Sequence, residues 1–397
     1  MKSPAAIANI PITKTVFGEE EMRAVQKPLE TGWVVQGPYV AEFERKFSAY
    51  TGTRFSVAAS SCTTALHIAV AALDLRPGEE VIVPAFTWVA TANVVEYMGA
   101  RPIFCDIDLA TFNINTSQVE ALISPRTVGL IPVHLFGLCA DMAPLLRLAH
   151  QHSIWVVEDA ACAFGGWYRG QHAGTFGNMG CFSFHPRKAI TTGEGGMVTT
   201  ASAETDLLLR SLRDHGASRS DLARHRDKES FLLSEYDRLG YNFRMTDIQG
   251  ALGCAQMERA DWIMRERRLR AEAYNEMLAD IDWLQTPVVP QDYVHGYQAY
   301  VCLFRPEEPT VKNVQNLHDQ RNRMMRRLED QGIATRQGTH AAALQGFYRQ
   351  KYNLTAERFS NAYFADRLSL ALPLYPQMTD DDQDFVVSEL KRAYTST

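Results

Sequence analysis

The chain has 397 residues, of which 46% are hydrophobic and 22% charged, and a formal net charge of -6 at pH 7. These values are typical of a globular protein with one large and one smaller domain, and they exclude a disordered or fibrous chain. The acidic balance provides no overall basic field, so we expect neither nucleic acid nor membrane as a partner. No run approaches the roughly 18 apolar residues of a membrane span, and residues 1–14 lack the pattern of a signal peptide.

The cysteine pattern indicates a reducing compartment. Seven scattered cysteines are present, and their number is odd. No two of them have the spacing of a zinc site or a redox pair. We therefore expect reduced thiols in a cytoplasmic protein, and no metal site.

The predicted elements begin with two helices, over residues 18–31 and 39–50, and then alternate between strands and helices. Strands are predicted over 55–58, 80–84, 102–106, 128–135, 154–158, 180–184 and 195–200, with helices over 63–73, 87–97, 117–123 and 141–150. This alternation implies a mostly parallel sheet covered by helices on both faces. In such sheets, ligands bind at the carboxyl ends of the strands.

The second half of the chain is predicted to be richer in helix. A helix begins near residue 206, and a polar, basic and exposed stretch follows over 219–228. A long charged helix over 261–278 is predicted to connect two domains. A strand over 297–304 and helices over 314–331, 359–368 and 380–394 then form a smaller α/β domain. We expect a large domain over residues 1–260 and a small C-terminal domain over 261–397.

A cluster of small polar residues, from Ser60 to Thr63, stands where the helix over 63–73 begins. Free backbone N–H groups and the positive end of the helix dipole can hold a phosphate at such a position. Simple N-capping explains the same pattern, so both interpretations stay open.

Lys188 and Asp159 are the candidate catalytic residues. Lys188 lies in a loop between two predicted strands, and Asp159 follows the strand over 154–158. Alone, each is more often a solvated charge or a helix cap. Together with Trp88 and Ser183 they match the needs of pyridoxal phosphate: an amine for a Schiff base, a carboxylate for the pyridine nitrogen, an aromatic ring against the pyridine and a hydroxyl for the phosphate. Motifs of metalloproteases, α/β-hydrolases, NTPases and dinucleotide-binding proteins are absent.

Several long phrases, in one order, resemble a known family. They are GWVVQGPYVAEFERKF, FTWVATANVV, EDAACAFG, SFHPRKAITTGEGGMV, YNFRMTDIQGALG and LPLYPQMTDDDQ. The chain resembles the DegT/StrS-type sugar aminotransferases, which are fold-type I pyridoxal phosphate enzymes. The resemblance extends over nearly the whole chain.

The resemblance implies roles around the pyridine ring of the cofactor. Lys188 is the lysine of the Schiff base, and Asp159 is the partner of the pyridine nitrogen. Trp88 stacks on one face of the ring, and Ala161 lies against the other.

The resemblance also implies a phosphate site that two subunits share. Cys62, Thr63 and Ser183 contact the phosphate, and Asn242 reaches in from the other subunit of a homodimer. The competing interpretation is that Asn242 caps the helix that begins at Thr246 or Asp247.

Three positions depart from the pattern of the family. Cys62 stands where glycine is common, and Ala189 where asparagine usually follows the lysine. Cys162 replaces a glutamine or histidine that helps to hold the phenolic oxygen of the cofactor or the substrate. We therefore expect cofactor binding to persist and substrate preference to differ.

The implied reaction moves an amino group from an amino acid, L-glutamate by resemblance, to a keto sugar. In the family this sugar is usually a nucleotide-linked 4-keto or 3-keto 6-deoxyhexose, and the product is an amino sugar. His185, Arg336 and His340 are the candidate substrate-binding residues. Two alternatives stay open: a ketocyclitol or non-nucleotide keto sugar as acceptor, and a regulatory protein that binds the cofactor without turnover.

Overall fold

The computed structural model of the protein describes residues 9–218 and 234–395. The exposed stretch predicted over 219–228 lies outside the described residues. Within the two described ranges, no helix is both long enough and apolar enough to cross a membrane.

The elements follow the predicted alternation. The helices are α1 (Glu19–Thr31), α2 (Pro38–Thr51), α3 (Cys62–Ala72), α4 (Ala90–Tyr97), α5 (Thr116–Val119), α6 (Met142–His152), α7 (Ala203–Leu212), α8 (Asp247–Glu258), α9 (Ala260–Met277), α10 (Val314–Asp330), α11 (Gly346–Tyr352), α12 (Ser360–Leu368) and α13 (Asp380–Thr395). The strands are β1 (Phe55–Ala59), β2 (Glu80–Pro84), β3 (Arg101–Cys105), β4 (Thr127–Leu130), β5 (Trp155–Asp159), β6 (Trp167–Tyr168), β7 (Gln171–His172), β8 (Met179–Ser183), β9 (Gly196–Thr200), β10 (Leu284–Gln285), β11 (Tyr293–Val294), β12 (Tyr300–Phe304) and β13 (Ser369–Leu372).

The central sheet has the strand order β1-β9-β8-β5-β4-β2-β3. Neighbouring strands from β8 to β3 are parallel, whereas β9 is antiparallel to both β8 and β1. Val81 and Val83 of β2 pack in one apolar core, and Ile82 between them packs in another. Because successive strand side chains point to opposite faces, both faces of the sheet are covered. The predicted α/β fold with a mostly parallel sheet is confirmed.

Helices pack on both faces of this sheet. On one face, Leu66 of α3, Val94 of α4 and Leu209 of α7 are buried in the first core. On the other, Phe43 of α2 and Leu145 of α6 are buried in the second core. Helix α3 lies against β5, β8 and β9, so its N-terminus faces the strands that carry the candidate catalytic residues.

A second sheet, with the strand order β10-β12-β13, forms the C-terminal part of the chain. Its core includes Tyr274 of α9, Leu328 of α10 and Val386 of α13. Ile263, near the start of α9, packs instead in the core of the central sheet. Helix α9 therefore extends from one core to the other, and the domain boundary at residue 260 stays a prediction.

The predicted strand over 128–135 was too long, because β4 ends at Leu130. Pro132 follows and provides no N–H for a strand ladder. The apolar run continues as a buried 3₁₀ turn over Leu135–Gly137, in which Phe136 has a φ of 57°. The sequence predicted a strand here because an apolar run of this length resembles a buried strand.

Sequence reasoning also missed a small antiparallel sheet with the strand order β11-β6-β7. Arg169 and Gly170 join β6 and β7 with φ values of 51° and 77°. Positive φ at both central residues is the geometry of a type I′ hairpin turn. The strands have two residues each, which is too short for a periodic signal.

Candidate active site

The carboxyl ends of β5 and β8 meet at one edge of the central sheet. Asp159 ends β5 and pairs with Cys181, two residues before Ser183 ends β8. Lys188 follows in the loop after β8, where its N–H donates to the carbonyl of His185 over 2.8 Å. The parallel register of these two strands therefore brings the predicted residues of one site to the same edge.

Asp159 is a buried carboxylate that is hydrogen-bonded on both oxygens. The Thr91 hydroxyl lies 2.7 Å from its Oδ2 atom, and the N–H of Ala161 donates to Oδ1 over 3.2 Å. Burial raises the pKa of Asp159 above its usual value, although these two hydrogen bonds and the charge of Lys188 oppose the shift.

The amine of Lys188 points toward Cys162, with 3.1 Å between Nζ and Sγ. Burial lowers the pKa of Lys188, but the adjoining Cys162, Cys62 and Asp159 side chains raise it more, so that it lies above its usual value. Burial raises the pKa of the Cys62 thiol well above its ordinary range, and Asp159, Lys188 and Cys162 also influence it. Lys188, Asp159, Cys162 and Cys62 therefore form one cluster.

The start of α3 combines capping with free N–H groups. The Ser61 hydroxyl accepts the N–H of Thr64 over 3.1 Å, so this residue is the N-cap. The N–H groups of Cys62 and Thr63 lie in the first turn, and no acceptor in residues 9–218 and 234–395 takes them. The capping interpretation of the polar cluster is therefore correct for Ser61. The two remaining donors are compatible with an anion, so the phosphate site stays a prediction.

Gly196 brings these donors close to Ser183. It pairs with Ser183 across β8 and β9. A Cβ atom at Gly196 would lie 2.7 Å from the backbone nitrogen of Cys62 and would collide with the carbonyl oxygen of Ser61. Only glycine permits this approach. The resulting cradle of two N–H groups and one hydroxyl fits the phosphate of pyridoxal phosphate.

Trp88 lies at the rim of the cluster. Its side chain is 61% exposed, and its ring centroid lies 6.1 Å from that of His340. The N–H of Thr87 donates to the carbonyl of His340 over 3.1 Å, which joins the segment before α4 to the C-terminal part of the chain. The exposed indole is free to cover a ring that binds over Asp159.

Arg336 and His185 are the two predicted substrate-binding residues still to be placed. Arg336 is exposed, and two backbone hydrogen bonds pair it with Ala371. His185 is half-buried, and its Nδ1 atom accepts the N–H of Arg187 over 3.2 Å. Burial lowers the pKa of His185. Within residues 9–218 and 234–395, no hydrogen bond or ion pair joins the Arg336 side chain to Lys188 or Asp159.

Asn242 is exposed in the single chain, and its neighbour Phe243 accepts the N–H of Ser60 over 2.8 Å. The interpretation of Asn242 as a helix cap is wrong, because the Thr246 side chain accepts the N–H of Gln249 and caps α8.

Sequence reasoning missed Thr91 and Gly196. Thr91 lies within the predicted helix over 87–97, and its position three residues after Trp88 was the only signal in the sequence. The structure shows that its side chain is buried. Gly196 stood in the glycine-rich turn, but its contact with Ser61 depends on how α3 packs against β9.

Comparison with known proteins agrees with this geometry. Residues 16–391 match the DegT/DnrJ/EryC1/StrS aminotransferase family. The Methanocaldococcus jannaschii protein MJ1066 is 37% identical over 96% of this chain and 97% of its own length. The Bacillus subtilis spore coat polysaccharide biosynthesis protein SpsC is 35% identical over 96% of each chain.

A solved structure shows the same fold. Spr1654 of Streptococcus pneumoniae, described as a sugar aminotransferase, superposes with a TM-score of 0.90 at 26% identity, over 98% of this chain and 100% of that chain. It has been solved in a PMP form and a PLP form. The chain therefore belongs to the DegT/DnrJ/EryC1/StrS aminotransferase family, whose members are fold-type I enzymes that depend on pyridoxal phosphate.

Proposed function

We propose that the chain transfers an amino group from L-glutamate to a keto sugar in amino-sugar biosynthesis. A nucleotide-linked 4-keto or 3-keto 6-deoxyhexose is the proposed acceptor. The cluster of Lys188, Asp159 and the phosphate cradle carries the proposal, because a transaminase needs all three. The names of SpsC, a polysaccharide biosynthesis protein, and of Spr1654, a sugar aminotransferase, support the sugar as acceptor.

Pyridoxal phosphate, when bound, supplies an electrophilic aldehyde and an electron-withdrawing pyridine ring. In this proposal the amine of Lys188 would take the proton from the α-carbon of the amino donor and deliver it to the aldehyde carbon of the cofactor. With the keto sugar it would move a proton in the reverse direction, onto the carbon that receives the amino group. Asp159 holds the proton on the pyridine nitrogen. Trp88 and Ala161 would hold the ring of the cofactor between them.

The phosphate is held by the N–H groups of Cys62 and Thr63 and by the Ser183 hydroxyl. We place the substrate near His185, Arg336 and His340. Cys162 lies beside the amine of Lys188, where family members usually carry a longer polar side chain, so it is the residue that favours a second acceptor class. A ketocyclitol or a non-nucleotide keto sugar is that second candidate.

We further propose a cytoplasmic homodimer with shared sites. The free state of all seven cysteines supports a reducing compartment. Five large apolar side chains between residues 17 and 35 are exposed in the single chain, and their exposure supports a partner that covers this segment. They are Phe17, Met22, Leu29, Val34 and Val35.

The assay that tests the reaction combines purified protein, glutamate and a panel of keto sugars and ketocyclitols. The amino product is identified by mass and NMR. Formation of an amino sugar supports the lead proposal, and an aminocyclitol supports the second candidate. If cofactor-saturated protein does not convert glutamate to 2-oxoglutarate, the proposal of L-glutamate as the amino donor fails.

Borohydride reduction tests the assignment of Lys188. We expect reduction to fix the cofactor on the peptide that contains Lys188, and Lys188→Ala to give no adduct. An adduct on another lysine would contradict the assignment. Lys351 is a suitable comparison, because it is an exposed lysine paired with Glu96.

Subunit mixing tests the shared site. A Lys188→Ala chain is combined with an Asn242→Ala chain, and the subunits are allowed to exchange. If Asn242 acts across the interface, each heterodimer has one site with native Lys188 and native Asn242, so activity partly recovers. No recovery in confirmed heterodimers would exclude a role across the interface.

A further inference from the structure

Thr91 connects helix α4 to the carboxylate of Asp159. Its side chain is fully buried, and its Oγ1 atom lies 2.7 Å from Asp159 Oδ2. The two residues are 68 positions apart in the sequence. This hydrogen bond is the shorter of the two that the carboxylate oxygens of Asp159 accept. Thr91 is not among the residues that were given a role toward the cofactor above.

The single proton of the Thr91 hydroxyl has two possible acceptors besides Asp159. The carbonyl of Trp88 and the hydroxyl of Thr87 both lie 3.2 Å from Oγ1. A first-turn threonine often bonds the carbonyl three residues before it, so the Trp88 contact is the ordinary alternative. The shorter distance and the ionised acceptor favour Asp159, because charge-assisted hydrogen bonds are shorter and stronger. The Thr87 hydroxyl can then donate to Thr91.

The two hydrogen bonds fix the plane of the carboxylate. The Thr91 hydroxyl, on α4, donates to Oδ2, and the N–H of Ala161, in the turn after β5, donates to Oδ1. Other groups also face Asp159: the charges of Lys188 and His134 favour its ionised form. Cys62 and Cys181 lie close enough for the Asp159 charge to raise the pKa of each thiol, in addition to the effect of burial.

We propose that Thr91 is a positioning residue, which orients Asp159 and stabilises its ionised form so that it can hold the proton on the pyridine nitrogen. This inference rests on the proposed role of Asp159. The same threonine donates its N–H to the carbonyl of Trp88 over 3.3 Å, so it also ties the stacking residue to the carboxylate. One residue thus contacts both groups, Asp159 through its side chain and Trp88 through its backbone N–H.

The test uses Thr91→Val, which keeps the branched shape and removes the hydroxyl, and Thr91→Ser, which restores it. Thr87→Val is the matched control, because Thr87 is also buried and branched but does not touch Asp159. In cofactor-free protein, the carboxyl infrared band of Asp159 is identified by its loss in Asp159→Asn. We expect its titration to move up by about one pH unit in Thr91→Val and to stay in place in Thr91→Ser and Thr87→Val.

Protein loaded with ¹⁵N-labelled cofactor gives the second measurement. The pyridine nitrogen signal should move toward the neutral form in Thr91→Val, and kcat should fall by about tenfold or more with little change in the KM for glutamate. Thr91→Ser should restore both. An unchanged titration in Thr91→Val, or an equal shift in Thr87→Val, would overturn the inference. If Asp159→Asn leaves the nitrogen signal unchanged, the proposed role of Asp159 fails, and the positioning role fails with it.

Discussion

The Nζ atom of Lys188 lies 3.1 Å from the Sγ atom of Cys162. The resemblance to the family predicted a departure at Cys162 but not this contact with the lysine. The contact joins the amine to the turn that follows β5. Cys162 is therefore a direct neighbour of the lysine.

Replacing Cys162 should change the titration of the amine. Burial lowers the pKa of Lys188, and Cys162 is the first of the groups that raise it. We expect Cys162→Ala to lower the pKa of Lys188, so that the neutral amine is present at lower pH. The rate of cofactor association should then reach its maximum at a lower pH than in the native protein. The measurement is the pH profile of the rate at which cofactor-free protein binds pyridoxal phosphate. Cys254→Ala, another half-buried thiol, is the control, and a profile equal to that of the control would contradict the prediction.

Asp159→Asn should slow proton transfer far more than it weakens phosphate binding. In the proposed site the acidic side chain would stabilise a protonated pyridine nitrogen, whereas the substitution would leave the proposed phosphate cradle at Cys62 and Thr63 untouched. We expect the single-turnover reaction with glutamate to slow by about a hundredfold or more, with cofactor affinity within a few-fold of the native value. An unchanged single-turnover rate would count against the role of Asp159.

Gly196→Ala should damage the phosphate cradle. The new Cβ would lie 2.7 Å from the nitrogen of Cys62, so β9 or the start of α3 must move. We expect a loss of about 1–3 kcal/mol in unfolding free energy from overpacking and a cofactor affinity lower by about tenfold or more. Gly346→Ala is the control, since nothing lies within 4 Å of its added Cβ. Denaturant unfolding and fluorescence titration with the cofactor measure both effects, and native affinity in Gly196→Ala would exclude the cradle.

Some of this structure was accessible from the sequence because local signals agreed with the tertiary fold. Strand β2 has the predicted bounds, since an apolar run lies there between turn residues. The C-terminal helix begins at Asp380 as predicted, and the Thr379 hydroxyl accepts the N–H of Asp382 over 3.1 Å. Capping and periodicity are local properties of the chain, so they can be read without the fold.

The parts that were missed depend on contacts between distant segments. Strand β13 follows α12 without a turn signal and pairs with the distant strand β12. The rings of Trp88 and His340 are in contact although the residues are 252 positions apart in the sequence. Thr91 forms a hydrogen bond with Asp159, which lies 68 positions away. Such contacts leave no periodic pattern, so sequence alone identified Asp159 but not the group that orients it.

The buried imidazole of His172 should make the protein less stable in acid. Burial lowers its pKa to about 4, and its Nε2 atom accepts the N–H of Gly165 over 2.9 Å. In the unfolded chain the imidazole binds a proton below about pH 6.5. Between pH 6.5 and 4 the unfolded state therefore holds one more proton than the native state, and the free energy of unfolding falls as the pH falls, by about 1.4 kcal/mol per unit.

His172→Gln should remove this contribution. We expect the variant to be less stable at pH 7, because the contact with Gly165 is altered, and to show a shallower loss of stability toward pH 5 than the native protein. Denaturant unfolding at a series of pH values measures the slope. His152→Gln is the control, because His152 is exposed at the end of α6. The remaining slope in His172→Gln should come partly from His295, another buried imidazole whose pKa burial lowers to about 3. If His172→Gln and His152→Gln have the same slope as the native protein, proton exclusion by His172 does not contribute to acid sensitivity.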